Sequence, residues 1–283
     1  MAPFEPGQAQ SVMQKVKKII AIASGKGGVG KSTTAVNLAL ALKAQGARVG
    51  LLDADIYGPS VAMMLGVAAG TRPDIRDEKY IIPIVAHGLA SMSMAYLANE
   101  RTPMVWRGPM AGGALVQMLE QTDWGELDYL LIDMPPGTGD IQLTLSQKAA
   151  LAGAVIVTTP QDIALLDARK GIEMFRKVSV PVLGVIENMA VHVCSECGHA
   201  EAIFGEEGGE RIAREYDVAL LASLPLERAI RERTDGGAPI VVSEPDSLAA
   251  RAYHSAASAL VAAAADAASD DAQSFPSISI SDD

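Results

Sequence analysis

Gly25-Lys26-Gly27-Gly28-Val29-Gly30-Lys31-Ser32, with Thr33 next, is the stretch on which the fold turns. It fits the phosphate-loop pattern of Gly, four residues, then Gly-Lys-Ser, and it follows the apolar run Ile19-Ile20-Ala21-Ile22-Ala23, which reads as a buried strand. Glycines at 25, 27, 28 and 30 let the backbone turn so that successive N–H groups point inward and wrap the phosphates of a nucleotide. Lys31 brings a point charge toward the β- and γ-phosphates, and the Ser32 hydroxyl is placed to bind Mg²⁺. Residues 25 to 33 are therefore the predicted nucleotide-binding set. Lys26 is a second lysine that such a loop does not require. It is either a solvated surface charge or a finger that reaches the phosphate held by a second subunit.

Around this loop the chain alternates. Helices are predicted over Ser32 to Gln45, from Val36, Leu38, Leu40 and Leu42 with Gly46 as the stop, and over Met110 to Gln121, Ile141 to Leu151, Ile163 to Lys177, Glu210 to Tyr216 and Leu248 to Ala267. Strands are predicted over Arg48 to Leu52, Tyr129 to Ile132, Ala154 to Thr159, Val182 to Ile186 and Ala219 to Leu224. Pro59 to Pro83 reads as irregular. This βα rhythm predicts an α/β fold: one domain with a mostly parallel sheet flanked by helices. Residues 1 to 17 read as a mobile segment, 18 to 267 as the P-loop domain with a cysteine-bearing insertion at 189 to 209, and 268 to 283, Ser-rich and acidic, as a disordered tail.

The 283 residues are 49% hydrophobic, enough for one large core, and only 4% aromatic, which suits close-packed α/β layers. A net charge of −11 argues against a nucleic-acid surface. Met1 to Val16 carries no secretory signal, and no run reaches the roughly 18 apolar residues of a membrane span. The expected protein is cytoplasmic, with neither nucleic acid nor membrane as partner.

Three acids and two cysteines carry the remaining chemistry. Asp133 closes the apolar run Tyr129-Leu-Leu-Ile132 as a Walker B carboxylate, placed to hold Mg²⁺ beside the phosphate loop. The Gly- and Pro-rich stretch 135 to 140 after it suits a switch that senses the γ-phosphate. Asp53 and Asp55 end the second strand; one can help hold Mg²⁺ and the other orient or deprotonate the attacking water, with capping of the next turn the alternative for Asp53. Cys194-Ser-Glu-Cys197-Gly198 is a C-x-x-C turn that presents two thiolates to one metal centre. Thiolate sites generally take four ligands, so two copies of the chain can complete one site across a twofold axis, whether for zinc or for an iron–sulfur cluster. A thioredoxin-like redox pair, or a Zn²⁺ held within one chain with His192 and His199, are the competing readings.

The loop with its extra lysine resembles the deviant Walker A of the superfamily that includes MinD, ParA and the nitrogenase iron protein, P-loop NTPases of the SIMIBI type. In that superfamily the lysine crosses a nucleotide-sandwich dimer. Further motifs, Val105-Trp-Arg-Gly-Pro-Met110, Asp133-Met-Pro-Pro-Gly-Thr-Gly-Asp140, Gly184-Val-Ile-Glu-Asn-Met189, the C-x-x-C-Gly and Ile203-Phe-Gly205, are together similar to the Mrp/ApbC family of iron–sulfur cluster carrier ATPases, over residues 18 to 245. The resemblance implies a homodimer that binds and slowly hydrolyses ATP, bridges a 4Fe–4S cluster between two C-x-x-C pairs and passes it to apo iron–sulfur client proteins. It also implies Asp55 as the water-positioning residue and Asn188 at the adenine, a residue that otherwise reads as a strand-end turn. Many bacterial members carry a small extra N-terminal domain, whereas about 17 residues precede the first predicted strand here. The family often has Pro-His where Ser195-Glu196 stand. Two alternatives accompany this reading: a MinD/ParA-like positioning ATPase, to which the Ala-rich then acidic C-terminus is ill suited as a lipid anchor, and a regulatory ATPase with a structural zinc.

Overall fold

The computed structural model describes residues 13–97, 108–194 and 196–273. Strand β1 (Val16–Ala23) leads through the phosphate loop into helix α1 (Lys31–Ala44) and strand β2 (Val49–Asp53). Helix α2 (Val61–Met64), strands β3 (Ile75–Arg76), β4 (Tyr80–Ile81), β5 (Ile84–Ala86) and β6 (Leu89–Ser93), and helices α3 (Met94–Leu97) and α4 (Gly108–Gln121) follow. The alternation resumes with β7 (Leu127–Asp133), α5 (Asp140–Lys148), β8 (Gly153–Thr158), α6 (Asp162–Lys177) and β9 (Val182–Glu187). Beyond these come the hairpin strands β10 (His192–Val193) and β11 (Ala200–Glu201), then α7 (Gly208–Tyr216), β12 (Leu220–Ser223), α8 (Arg228–Asp235), α9 (Ile240–Ser243) and α10 (Leu248–Gln273).

Eight strands make one sheet in the order β12-β9-β8-β1-β7-β2-β6-β5, with β5 antiparallel to β6 and every other pairing parallel. β1 lies at its centre. Ile20 and Ile22 point to one face, into a core with Leu38 and Leu42 of α1 and Tyr253 and Leu260 of α10. Ile19, Ala21 and Ala23 point to the other, into a core with Leu115 of α4 and Ile172 and Phe175 of α6. Burial on both faces is why these strands read as unbroken apolar runs. It also explains α1, whose residues from Thr34 to Leu42 are all buried between the sheet and α10, so that its sequence has no polar stripe. Parallel pairing gathers the carboxyl ends of β1, β2, β7, β8 and β9 on one edge, and the loops that leave them form the candidate site.

The mostly parallel sheet flanked by helices is as the sequence predicts. Several boundaries differ. β1 starts at Val16, so the last two residues of the segment expected to be mobile up to residue 17 belong to this strand; residues 1 to 12 of it lie outside the described residues. Residues 59 to 83 are not uniformly irregular: they contain α2 and the small antiparallel ladder of β3 with β4. β6 was not foreseen, because Leu89-Ala-Ser-Met-Ser93 has small polar residues where a buried strand normally shows branched apolar ones. Ser91 and Ser93 are nonetheless fully buried, satisfied by the Ile84 carbonyl and by Asp53. α8 was missed as well; it buries only Ile230 and Thr234 and otherwise shows charge to solvent. α10 continues to Gln273, past the expected end at Ala267, and residues 274 to 283 of the expected tail lie outside the described residues, as do Val105 to Arg107 and Ser195. Among the described residues, no helix is long and apolar enough to cross a membrane.

Candidate functional site

The phosphate loop needs its glycines for two separate reasons. Gly28 and Gly30 have φ of 84° and 82°, the left-handed region that side chains disfavour. Gly25 is needed for closeness instead: a Cβ there would lie 2.0 Å from the carbonyl oxygen of Asp167 in α6. Val29 is buried and anchors the loop from below. α1 then opens at Lys31 with Gly30 as its N-cap and no side chain capping it. The first-turn N–H groups of a 14-residue helix are thus left for an anion, with the positive end of the helix dipole behind them.

Lys31 and Asp133 meet inside this edge. The Lys31 ammonium is 2.5 Å from Asp133 Oδ1 and 3.2 Å from the Ser32 hydroxyl, with both charged side chains almost wholly buried. Burial pushes the Asp133 carboxyl above its ordinary range, opposed chiefly by the Lys31 charge. Its Oδ2 is buried without a hydrogen-bond partner. An acid oxygen left unpaired beside a serine hydroxyl is the chemistry of a hard-cation site, so Asp133 and Ser32 fit Mg²⁺. Asp53 sits directly across from Asp133 on the neighbouring strand. Its Oδ1 accepts from Asp55 N at 3.1 Å, and its Oδ2 from Val61 N and the Ser93 hydroxyl, each at 3.1 Å. Both oxygens of Asp53 are therefore engaged by the turn that opens α2, the capping arrangement weighed for this residue, with Ser93 as a partner that no sequence signal pointed to. Burial, then the nearby Asp133 charge, pushes Asp53 up to about 7.

Asp55 lies just past the end of β2, half-buried, and accepts from Gly58 N at 3.2 Å. The strand stops at Asp53, so Asp53 stands in the strand and Asp55 in the loop after it. Lys26 is exposed at the tip of the loop. The stretch after Asp133 is tied to the start of the phosphate loop: Met134 N donates to Ile22 O and Gly137 N to Ser24 O, both at 3.0 Å, while the Ser24 hydroxyl reaches the Lys26 carbonyl at 2.9 Å. From the far side, Asn188 Nδ2 donates to the Val29 carbonyl at 2.8 Å. In this structure one N–H of the Asn188 amide is thus engaged by the loop backbone.

The cysteines lie on the β10–β11 hairpin, where Val193 pairs with Ala200. Cys194 N donates to His199 O and Gly198 N to Cys194 O, both at 2.9 Å, and Gly198 turns the chain at φ 72°. The backbone N–H groups of Cys197 and Glu196 point at the Cys194 sulfur and lower its pKa. Both thiols are free, Cys194 half-buried and Cys197 exposed. His192 is turned elsewhere, its Nδ1 3.0 Å from the Leu226 carbonyl. Among the described residues, no group of three or more His, Cys, Asp or Glu side chains is placed to hold a metal ion. Glu187 is a structural residue that sequence reasoning passed over. It is buried at the end of β9, accepting from Gly209 N and the Ser223 hydroxyl, and its signal was a lone acid ending an apolar strand.

A glycine-rich anion cradle after the central strand, with a buried acid ending the neighbouring strand, defines a P-loop NTPase. The family model ParA, described as NUBPL iron-transfer P-loop NTPase, matches residues 15–261, and the chain belongs to that family. An iron-sulfur cluster carrier protein of Pseudomonas fragi is 66% identical over 253 residues, which are 89% of this chain and 88% of that one. One from Escherichia coli (strain K12) is 62% identical over 232 residues, 82% of this chain and 63% of that one. Among solved structures, a nucleotide-binding protein from Archaeoglobus fulgidus in complex with ADP superposes with a TM-score of 0.75 at 35% identity, covering 87% of this chain and 95% of that one.

Proposed function

We propose that this chain is an ATP-hydrolysing carrier in which two copies hold a 4Fe–4S cluster between their Cys194 and Cys197 pairs and deliver it to apo iron–sulfur proteins. The observation that carries the reading is the hairpin. It offers two free thiols in one turn, one with its pKa lowered by backbone donors, and no third metal-ligating side chain of the described residues joins them. Such a half-site suits a cargo that is bound between subunits and then released. The relatives are named as iron-sulfur cluster carrier proteins, which supports the carrier part of this reading. The positioning-ATPase and structural-zinc alternatives have no comparable support. Free thiols suit the reducing cytoplasm, where we place the protein.

At the other site, the loop and the α1 N-terminus take the phosphates of ATP. Ser32 and Asp133 are the residues that would hold Mg²⁺, with Asp53 contributing through the charge it places beside Asp133; the ion, when bound, neutralises charge on the transferring phosphoryl group. Lys31 leaves Asp133 for the β- and γ-phosphates. Asp55 orients a water in line with the γ-phosphorus; the new P–O bond forms as the bond to the β,γ-bridging oxygen breaks, and ADP leaves with phosphate as product. Lys26 reaches the partner subunit's nucleotide and stabilises the charge that builds there. Turnover is slow, as suits a switch.

The test is anaerobic reconstitution with iron and sulfide, with light scattering in the presence of ATP. The expected result is a dimer with about four irons, lost in Cys194→Ala, and hydrolysis lowered in Lys26→Ala with ATP binding kept. A protein that stays monomeric with nucleotide, or takes up one zinc per chain and no iron, refutes the reading.

A further inference from the structure

Asn188 stands just after β9, and its side chain turns back onto the phosphate loop. It is 6% exposed, its Nδ2 donates to the Val29 carbonyl at 2.8 Å, and a Cβ at Gly30 would lie 2.2 Å from that nitrogen. The Val29 carbonyl and the Gly30 N–H belong to one planar trans peptide and point in opposite directions. With the carbonyl held by Asn188, the N–H faces away from Asn188 and is free to serve as one of the loop's phosphate donors. One rigid unit therefore has its donor available to a ligand and its acceptor on Asn188.

From Asn188 the chain runs to the cysteines through a segment tied to its neighbours at several points. Asn188 N donates to Thr158 O at 2.7 Å, and Met189 takes a left-handed φ of 58°. Ala190 N donates to Leu224 O at 2.9 Å, Leu226 N to Val191 O at 2.8 Å, and the His192 ring meets Leu226 O at 3.0 Å. Cys194 is two residues further on.

We propose that Asn188 is a positioning residue through which occupancy of the phosphate loop is transmitted to the cysteine hairpin. A phosphate accepting from the Gly30 N–H polarises that peptide and makes its carbonyl a stronger acceptor for Asn188. Asn188 is then gripped harder, and residues 189 to 194 are held more firmly with it. The path runs through backbone and needs phosphates but no base. It rests on the nucleotide half of the proposed function and not on the cluster.

The experiment is amide hydrogen exchange over residues 189 to 201 in the full-length chain prepared without iron, alone and with Mg²⁺ plus either ADP or inorganic tripolyphosphate at concentrations that calorimetry shows to be saturating. In the unaltered protein both ligands are expected to slow exchange by at least about fivefold. Asn188→Ala and Asn188→Asp, which both lack the donor, are compared at concentrations that calorimetry shows to saturate each variant, and are expected to show no slowing. A hairpin that still responds in either variant, no response in the unaltered protein, or a response to ADP but not to tripolyphosphate overturns the proposal. Absence of any ligand heat in the unaltered protein overturns the nucleotide reading with it. Failure to load iron would sink the cluster reading and leave this measurement standing.

Discussion

The contact between Lys31 and Asp133 gives the loop lysine a buried partner, and that partnership has consequences for stability. Removing one member of a buried ion pair strands the other. Lys31→Ala is expected to lower unfolding free energy by about 3–5 kcal/mol at pH 8, and by less at pH 5, where Asp133 relieves itself by taking up a proton. Urea titrations at the two pH values read this directly; equal losses at both would contradict it. Asp53 makes a second prediction, whose sign follows from its raised pKa of about 7 against an ordinary 3.8. A carboxyl that holds its proton more tightly when folded contributes stability fully present below pH 4, which is lost as pH climbs through 7. Asp53→Asn cannot titrate. Its stability relative to the parent should therefore rise between pH 5 and pH 7.5, and a constant difference in urea midpoint would count against the assignment.

At the level of elements, the loop and the helices around it decide which substitutions are tolerated. Gly28 has left-handed φ but nothing within 4 Å of a Cβ, whereas Gly25 lies against the backbone of α6. Gly28→Ala should cost about 1 kcal/mol of backbone strain. Gly25→Ala must displace the loop or α6 and should cost several times more, with nucleotide binding lost; thermal denaturation of the pair compares them. The loop, β1, β7 and the thiol turn were all legible because each combines a strong local pattern with a fixed spacing. Asp133 was legible for the same reason. The support around Asp53 was not. Ser93 arrives from a strand of small polar residues 40 positions away in sequence, and nothing local to either residue reports the contact. Asn188 was read for a nucleobase, and its bond to Val29 spans 159 residues, which only the assembled sheet brings together. The sequence predicts no helix at α8 and too early an end for α10, because charge in the one and alanine in the other leave no periodic stripe to count.

Across the whole molecule, the phosphate loop and the thiol turn are joined through Asn188 and the segment that follows β9, so a change at one is expected to reach the other by way of that segment. The sheet itself closes differently at its two sides, with the short antiparallel β5 on one and parallel β12 on the other. β1 enters at the edge of the sheet remote from the loops, where Lys18 Nζ donates to the Ala264 carbonyl of α10 at 2.5 Å. Its eight residues span about 26 Å before the first glycine of the cradle is reached. A fluorescent reporter or surface tether joined ahead of Val16 would consequently hang from the floor of the protein, leaving the roof, with its nucleotide and its thiols, unobstructed.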